Sequence, residues 1–208
     1  FLNSSEIKNR DLKIDLNKQV KKIIISKNEN QSKKIKIMGF DNNQHCPFEI
    51  YVDGIVLASH SNQSADIVEE NQQCHSLLKK IKYQKNTAVL HTDESLMPLR
   101  KKVWSAWNYI ATSSDESIKS SLTVTYWMNA LQELHTNENI FVTLNADQHI
   151  KEDKILKKMT YEHPLFDFSA LQAQSELSKI QGENNHWFAG AWLGFGFHED
   201  GFASGKLI

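Results

Sequence analysis

Only two cysteines, Cys46 and Cys74, occur in the 208 residues, far apart and in no Cys-x-x-Cys pair. That excludes a disulfide framework, which a chain of this size does not need, and makes reduced thiols in a cytoplasmic setting the expectation. Three prolines and eight glycines exclude collagen-like and low-complexity Pro/Gly chains. The nine histidines form no His-x-x-x-His or His-Glu-x-x-His pair. The adjacent pairs His45-Cys46 and Cys74-His75 point in different directions on a helix or strand, so no metal site is expected. The longest apolar runs, Ile23-Ile24-Ile25 and Ile55-Val56-Leu57-Ala58, are far short of the roughly 20 residues a membrane span needs. A net charge of −1 leaves no global pull toward nucleic acid or an anionic membrane.

What is present is a foldable composition, 40% hydrophobic and 24% charged, with room for one domain or two small ones. Residues 20–26, 35–38, 48–52 and 55–58 read as strands, separated by a polar turn at 28–32 and by Asp53-Gly54. The short, uniformly apolar run at 55–58 predicts a strand buried on both faces. Ala65, Val68, Leu77, Leu78 and Ile81 recur near helical spacing and predict one helix over 61–82. Residues 87–91, 103–109, 122–127 and 140–144 then read as four strands of a largely antiparallel sheet. A short Lys-rich segment at 151–160, a helix over 169–180 and a strand at 187–189 follow. Lysines 8, 13, 18, 21, 22, 33, 34 and 36 crowd the opening, but Glu6, Asp11, Asp15 and Glu29 stand among them and stacking aromatics are scarce. They read as solvated strand edges and not as a nucleic-acid surface.

The densest chemical signal is Trp187-Phe-Ala-Gly-Ala-Trp-Leu-Gly-Phe-Gly-Phe-His-Glu-Asp-Gly-Phe-Ala-Ser-Gly205. Gly190 turns the chain after a strand, and Gly194 and Gly196 allow close backbone approach. Glu199-Asp200 then stand at a helix start, whose free N–H groups and positive dipole end suit a negative charge. A glycine-rich crossover with a capped helix explains the same pattern. The chain begins at Phe1 and ends within what reads as a helix opening, so a piece of a longer protein is expected.

This segment resembles the C-terminal flavin-binding motif of the FAD-dependent amine oxidase family. Further strings resemble a bacterial and plant branch of predicted NAD/FAD-binding oxidoreductases: Leu90-His-Thr-Asp-Glu-Ser-Leu-Met-Pro98, Trp104-Ser-Ala-Trp-Asn-Tyr109, Val124-Thr-Tyr-Trp-Met-Asn129, Phe141-Val-Thr-Leu-Asn145, His163-Pro-Leu-Phe-Asp167 and Gly196-Phe-His-Glu-Asp-Gly201. The resemblance covers about residues 85–205. It implies an α/β fold: a partial Rossmann-like, glutathione-reductase-type FAD-binding domain with an inserted antiparallel-sheet substrate domain. The implied domains are 1–59 (β-meander and return strand), 60–168 (substrate domain) and 169–208 (return to the FAD-binding domain).

By the same resemblance the chain is the C-terminal portion of a flavin-dependent oxidoreductase. It would pass a hydride from a small-molecule substrate to FAD. The implied cofactor contacts are Val20, Ala58, Gly190, Ala191, Phe197, His198, Glu199, Asp200 and Gly201. The backbone N–H groups of His198–Asp200 would meet the flavin pyrimidine edge, and Phe197 would face the substrate. Three departures matter. The Gly-x-Gly-x-x-Gly turn for the pyrophosphate is missing from these residues, so an N-terminal dinucleotide-binding segment of the same protein is an implied partner. Ala191 stands where the family often has an acidic residue. No cysteine lies near residues 190–196, so the flavin is expected to be non-covalent.

No catalytic residue is assigned. Trp104, Trp107, Tyr109, Tyr126 and Trp127 either wall a substrate pocket or fill a core. His91 and Asp93 are either acid/base groups or an ordinary polar strand end, and Lys85 lies near the strand where relatives place a lysine. A non-catalytic binding or scaffold domain derived from a flavoprotein is the alternative function.

Overall fold

The structure, a computed structural model, describes residues 12–25, 35–70, 72–111, 122–146 and 149–208. In chain order the strands are β1 (Lys18–Ile25), β2 (Ile35–Asp41), β3 (Cys46–Val52), β4 (Ile55–Leu57), β5 (Tyr83–His91), β6 (Trp107–Ala111), β7 (Leu122–Trp127), β8 (Phe141–Leu144), β9 (Ile155–Pro164) and β10 (His186–Phe188). The α-helices are α1 (Ser61–Ile67), α2 (Gln73–Lys80), α3 (Met128–Leu131), α4 (Phe168–Lys179) and α5 (His198–Lys206). The chain divides into two compact units, one running to Lys82 and resuming at Pro164–Ile208, the other spanning Tyr83–His163. The result is a mixed helix-and-sheet architecture consistent with an α/β class. The turn expected at 28–32 lies outside the described residues.

In the first unit β1, β2 and β3 form an antiparallel meander. Ile23, Ile25, Ile35 and Ile37 are its buried face, the alternation expected of a one-sided sheet. A bulge falls between Val20 and Lys22. Gly39, opposite Phe48 in the register, is obligatory there: a Cβ would run into the Gln19 carbonyl and the Phe48 ring.

The single helix expected over 61–82 is two helices. Val68 leaves α1 with extended backbone (φ −89°, ψ 153°) and bridges to Ile23 of β1. A β-branched side chain buried against a strand outweighs the local helical spacing. Contacts of α1 with β1 and of α2 with α4 keep residues 60–82 in the first unit. The two compact units therefore divide at 82/83 and 163/164.

Strands β4 and β10 pair in parallel, His186 with Ile55 and Phe188 with Leu57. The expectation of a strand buried on both faces fails here. Leu57 is buried, but Val56 is 47% exposed and Ala58 is exposed, because among the described residues this sheet has two strands and one side of β4 opens onto a groove. Two parallel strands do not define a Rossmann-like domain.

The second unit is a five-stranded sheet in the order β6-β7-β8-β5-β9. Residues 151–160, expected to be merely short and Lys-rich, mostly enter the ten-residue edge strand β9. Its largely exposed pattern and its Lys157-Lys158 pair suit an edge and hide the usual alternation. The strand expected at 103–109 begins only at Trp107, because the preceding residues form a closed loop with Trp104 Nε1–H donating to the Pro98 carbonyl at 2.7 Å.

Candidate nucleotide-binding site

The loop after β10 is held by side chains directed at its backbone. The Gln181 amide clasps Phe188, donating to its carbonyl and accepting from its N–H, both at 2.9 Å. Gly190 follows with φ +151°, and a Cβ there would stand 2.5 Å from Trp192 Nε1. Its N–H donates to Ser204 Oγ at 2.9 Å, and that hydroxyl donates to the Gly201 carbonyl at 2.7 Å. Gln174 Nε2 donates to the carbonyls of Trp192 (2.9 Å) and Gly194 (2.8 Å). Trp192, 3% exposed, donates from Nε1 to the Ser59 carbonyl at 3.0 Å.

The start of α5 is fixed by Asp200, the third residue of the helix. Its carboxylate accepts from the N–H groups of Phe195 (3.0 Å) and Phe197 (2.9 Å), the reciprocal half of a capping box. Gly194 makes room for this, since a Cβ there would stand 2.5 Å from the Asp200 carboxyl carbon. The first turn-to-turn bond of α5 runs from Gly201 N–H to the Phe197 carbonyl at 3.2 Å. The N–H groups of His198, Glu199 and Asp200 therefore precede the helical ladder, at its positive end. Phe197 is 61% exposed, His198 and Glu199 are exposed, and Ala191 packs beside Gly201.

Val20 and Ala58, 38 positions apart, line one groove of about 670 Å³, together with Gln19, Val56, Ser59 and Gln63. Ser59 is also the residue whose carbonyl Trp192 holds, and Ala189 N–H donates to the Leu57 carbonyl at 3.0 Å. The expected site residues thus form two groups. Val20 and Ala58 share the groove, while Gly190, Ala191 and Phe197–Gly201 share the loop and helix start, with Ser59 and Trp192 joining the two. Asp200 also borders a separate cavity of about 400 Å³ between α4 and α5.

Trp192, Gln174, Gln181 and Ser59 were not singled out by sequence. A polar position on an amphipathic helix carries no mark of reaching a loop eighteen residues on.

In the second unit His91 is fully buried. Asp93 N–H donates to its Nδ1 at 3.1 Å, and its Nε2 lies 2.7 Å from Thr143 Oγ1. Burial pushes the His91 pKa down, with the Asp93 charge pulling partly the other way. Burial opposes ionisation of Asp93, but N–H donors from Lys151 and Ser95 hold its carboxyl below the usual range. Both are bonded within the sheet's own framework, the ordinary strand-end reading. Lys85 is exposed on β5. Of the aromatic run, Trp104 packs edge-on against Trp127 and Phe141, whereas Trp107 and Tyr109 are 47% and 61% exposed. Among the described residues no group of three or more His, Cys, Asp or Glu is placed to hold a metal, and no helix is long and apolar enough to cross a membrane.

No protein-family model matches the chain, and no curated protein matches it. Among solved structures it is similar to the crystal structure of a CLA-producing fatty acid isomerase from P. acnes, with a TM-score of 0.58 and 15% identity. The match covers 92% of this chain and 46% of that one, so the chain spans about half the length of the enzyme it resembles. At this identity the likeness is one of fold.

Proposed function

We propose that this chain forms part of the FAD site of a flavin-dependent oxidoreductase that takes a hydride from a small-molecule substrate and holds its cofactor non-covalently. The carrying observation is the convergence of Val20 and Ala58 on one groove, tied through Ser59 and Trp192 to the Gly190 loop. Val20 offers an apolar wall for a base, and Ala58 is small enough for a dinucleotide to pass close. The free N–H groups at the start of α5 suit an edge that becomes anionic on reduction. Asp200 holds that helix start through Phe195 and Phe197 and leaves the N–H groups of residues 198–200 outside the helical ladder. FAD, when bound, supplies the hydride acceptor. The pyrophosphate cradle is assigned to chain outside these residues, since no Gly-x-Gly-x-x-Gly stands among them. A fold shared with an enzyme is in keeping with this reading.

The test is the flavin-to-protein absorbance ratio of the full-length protein. Yellow protein that releases its flavin on acid precipitation is expected. Gly196, at φ +91°, is intolerant of a branched side chain, so Gly196→Val should lose most of the flavin. Val20→Trp should do the same by filling the groove, whereas His198→Ala should keep its flavin. A colourless protein that no added FAD stabilises overturns the proposal and leaves the scaffold reading. Normal loading in both folded variants overturns the site.

A further inference from the structure

We infer a docking surface for an anionic lipid bilayer on the loop between β5 and β6, independent of the flavin reading. Both feet of this loop are built into the second unit. Met97 is 5% exposed, and Trp104 packs its ring against Trp127 at 5.3 Å and Phe141 at 5.8 Å. Trp104 also ties the loop shut, donating its indole N–H to the Pro98 carbonyl at 2.7 Å and its backbone N–H to the Lys101 carbonyl at 3.1 Å. Val103 N–H donates to the Arg100 carbonyl at 3.0 Å. The protrusion is therefore pre-shaped, and what it presents is unusual for a water-facing turn. Leu99 is 103% exposed and Val103 59% exposed, with the cations Arg100, Lys101 and Lys102 between them. Lys101 is engaged, paired with Glu94 at 3.0 Å and lying 5.2 Å from the Trp104 ring centre. Arg100 and Lys102 have no ion-pair partner among the described residues.

Two aliphatic tips flanking unpaired cations match the two layers of an anionic bilayer surface: acyl chains for Leu99 and Val103, phosphate groups for Arg100 and Lys102. A protein partner of ordinary affinity needs roughly 1,000 Å² or more, which the seven stapled residues Pro98–Trp104 do not offer. A nucleic acid has no use for the aliphatic tips. The exposed Trp107 and Tyr109 on the following strand are the residue types that settle at a membrane–water boundary. Apart from Arg100, Lys101 and Lys102 the chain has more Asp and Glu than Lys and Arg, so the rest of it adds no net attraction toward an anionic surface. With two tips and no acyl anchor, the attachment is weak and reversible.

The test is co-sedimentation of the full-length protein with vesicles of phosphatidylcholine alone or mixed with phosphatidylglycerol. Binding to the mixed vesicles, lost at high salt and absent on phosphatidylcholine, is expected. Each unpaired cation near such a surface is worth about a fivefold change in partitioning, so Arg100→Gln with Lys102→Gln should weaken binding about 25-fold. Leu99→Ser should weaken it further with all charges kept. These sites are exposed, so unchanged circular dichroism and melting certify the fold of each variant. No sedimentation with mixed vesicles overturns the proposal, as does binding unaffected by the double substitution. Binding that falls with the charges, ignores Leu99→Ser and is competed by polyglutamate or a nucleic acid overturns it in favour of a generic polyanion patch.

Discussion

Each unit buries one histidine, and the two are treated in opposite ways. His91 in the second unit is fully buried and uses both ring nitrogens, Nδ1 accepting from Asp93 N–H and Nε2 bonded to Thr143. Because Nδ1 accepts, the proton sits on Nε2 and is donated to Thr143 Oγ1, which leaves the Thr143 hydroxyl to bond Thr125 at 2.9 Å. Asn108, Thr125 and Thr143 lie in register across β6, β7 and β8, so the buried face of this sheet carries a polar row. His186 in the first unit is 4% exposed, and neither ring nitrogen has a hydrogen-bond partner. It lines a cavity of about 100 Å³ with Gln72, Cys74 and Glu183, and its ring meets Phe188 edge-on at 5.3 Å. Equal burial therefore does not mean equal consequence. One imidazole completes a network, and the other makes no well-aligned hydrogen bond and has Glu183 alone offsetting its burial.

The largest effect should come from breaking the network at its hub. His91→Leu leaves the Asp93 N–H without its acceptor and the Thr143 hydroxyl without its donor, and should cost about 3 kcal/mol of unfolding free energy. Thr143→Val keeps the shape and removes one hydroxyl, stranding the His91 N–H, and should cost about 2 kcal/mol. Denaturant unfolding of both variants checks the order. A loss below about 0.5 kcal/mol for either would mean that the row contributes no more than surface groups do.

Acidification probes both histidines together. Burial lowers the pKa of each, and Asp93 and Glu183 respectively pull partly back. A base whose folded pKa is depressed adds stability above its unfolded value, about 6.5, and loses it as pH falls from there toward the folded value. The denaturation midpoint should therefore be flat above pH ~7 and fall below pH ~6.5. His91→Leu should remove one share of that slope, and replacing both histidines should remove it down to the carboxylate range. A midpoint that rises on acidification through this window contradicts the buried, neutral assignment.

Legibility in the sequence followed how local each cause was. The meander, β5, β7 and β8 were readable because β-branched runs report strand geometry directly. The Gly190 loop was readable because close backbone approach demands glycine, and Gly190 and Gly194 each face an atom a Cβ would strike. The break after α1 was not readable, because Val68 is drawn out of the helix by Ile23, 45 positions earlier. The strand β9 was hidden because an edge strand with few buried side chains lacks the apolar alternation that marks a strand. The loop at 98–104 was hidden because its staple, Trp104 to Pro98, resembles part of an aromatic strand pattern. A chain-wide charge of −1 also concealed three consecutive cations on that loop. The polar row was invisible for a subtler reason: threonine favours strands whether it faces water or core, so β propensity located β7 and β8 without disclosing which face was buried.

The smallest effect sharpens the comparison most, because its expected sign is opposite. His186→Phe removes two buried nitrogens that bond nothing, keeps an aromatic edge for Phe188, and has the adjoining cavity of about 100 Å³ to take the larger ring. Removing an unsatisfied buried polar group recovers part of its desolvation cost, so stability at pH 7 should stay within about 0.5 kcal/mol or rise by up to about 1 kcal/mol. The variant should also lose its share of the acid-side slope. His186→Asn is the control, since it restores polar atoms in the same pocket without an edge to offer Phe188, and should be the less stable of the two. Unfolding midpoints of the wild type and both variants at neutral and mildly acidic pH decide it. If His186→Phe instead costs as much as His91→Leu, the imidazole of His186 is held by groups that matter, and the contrast between the two units fails.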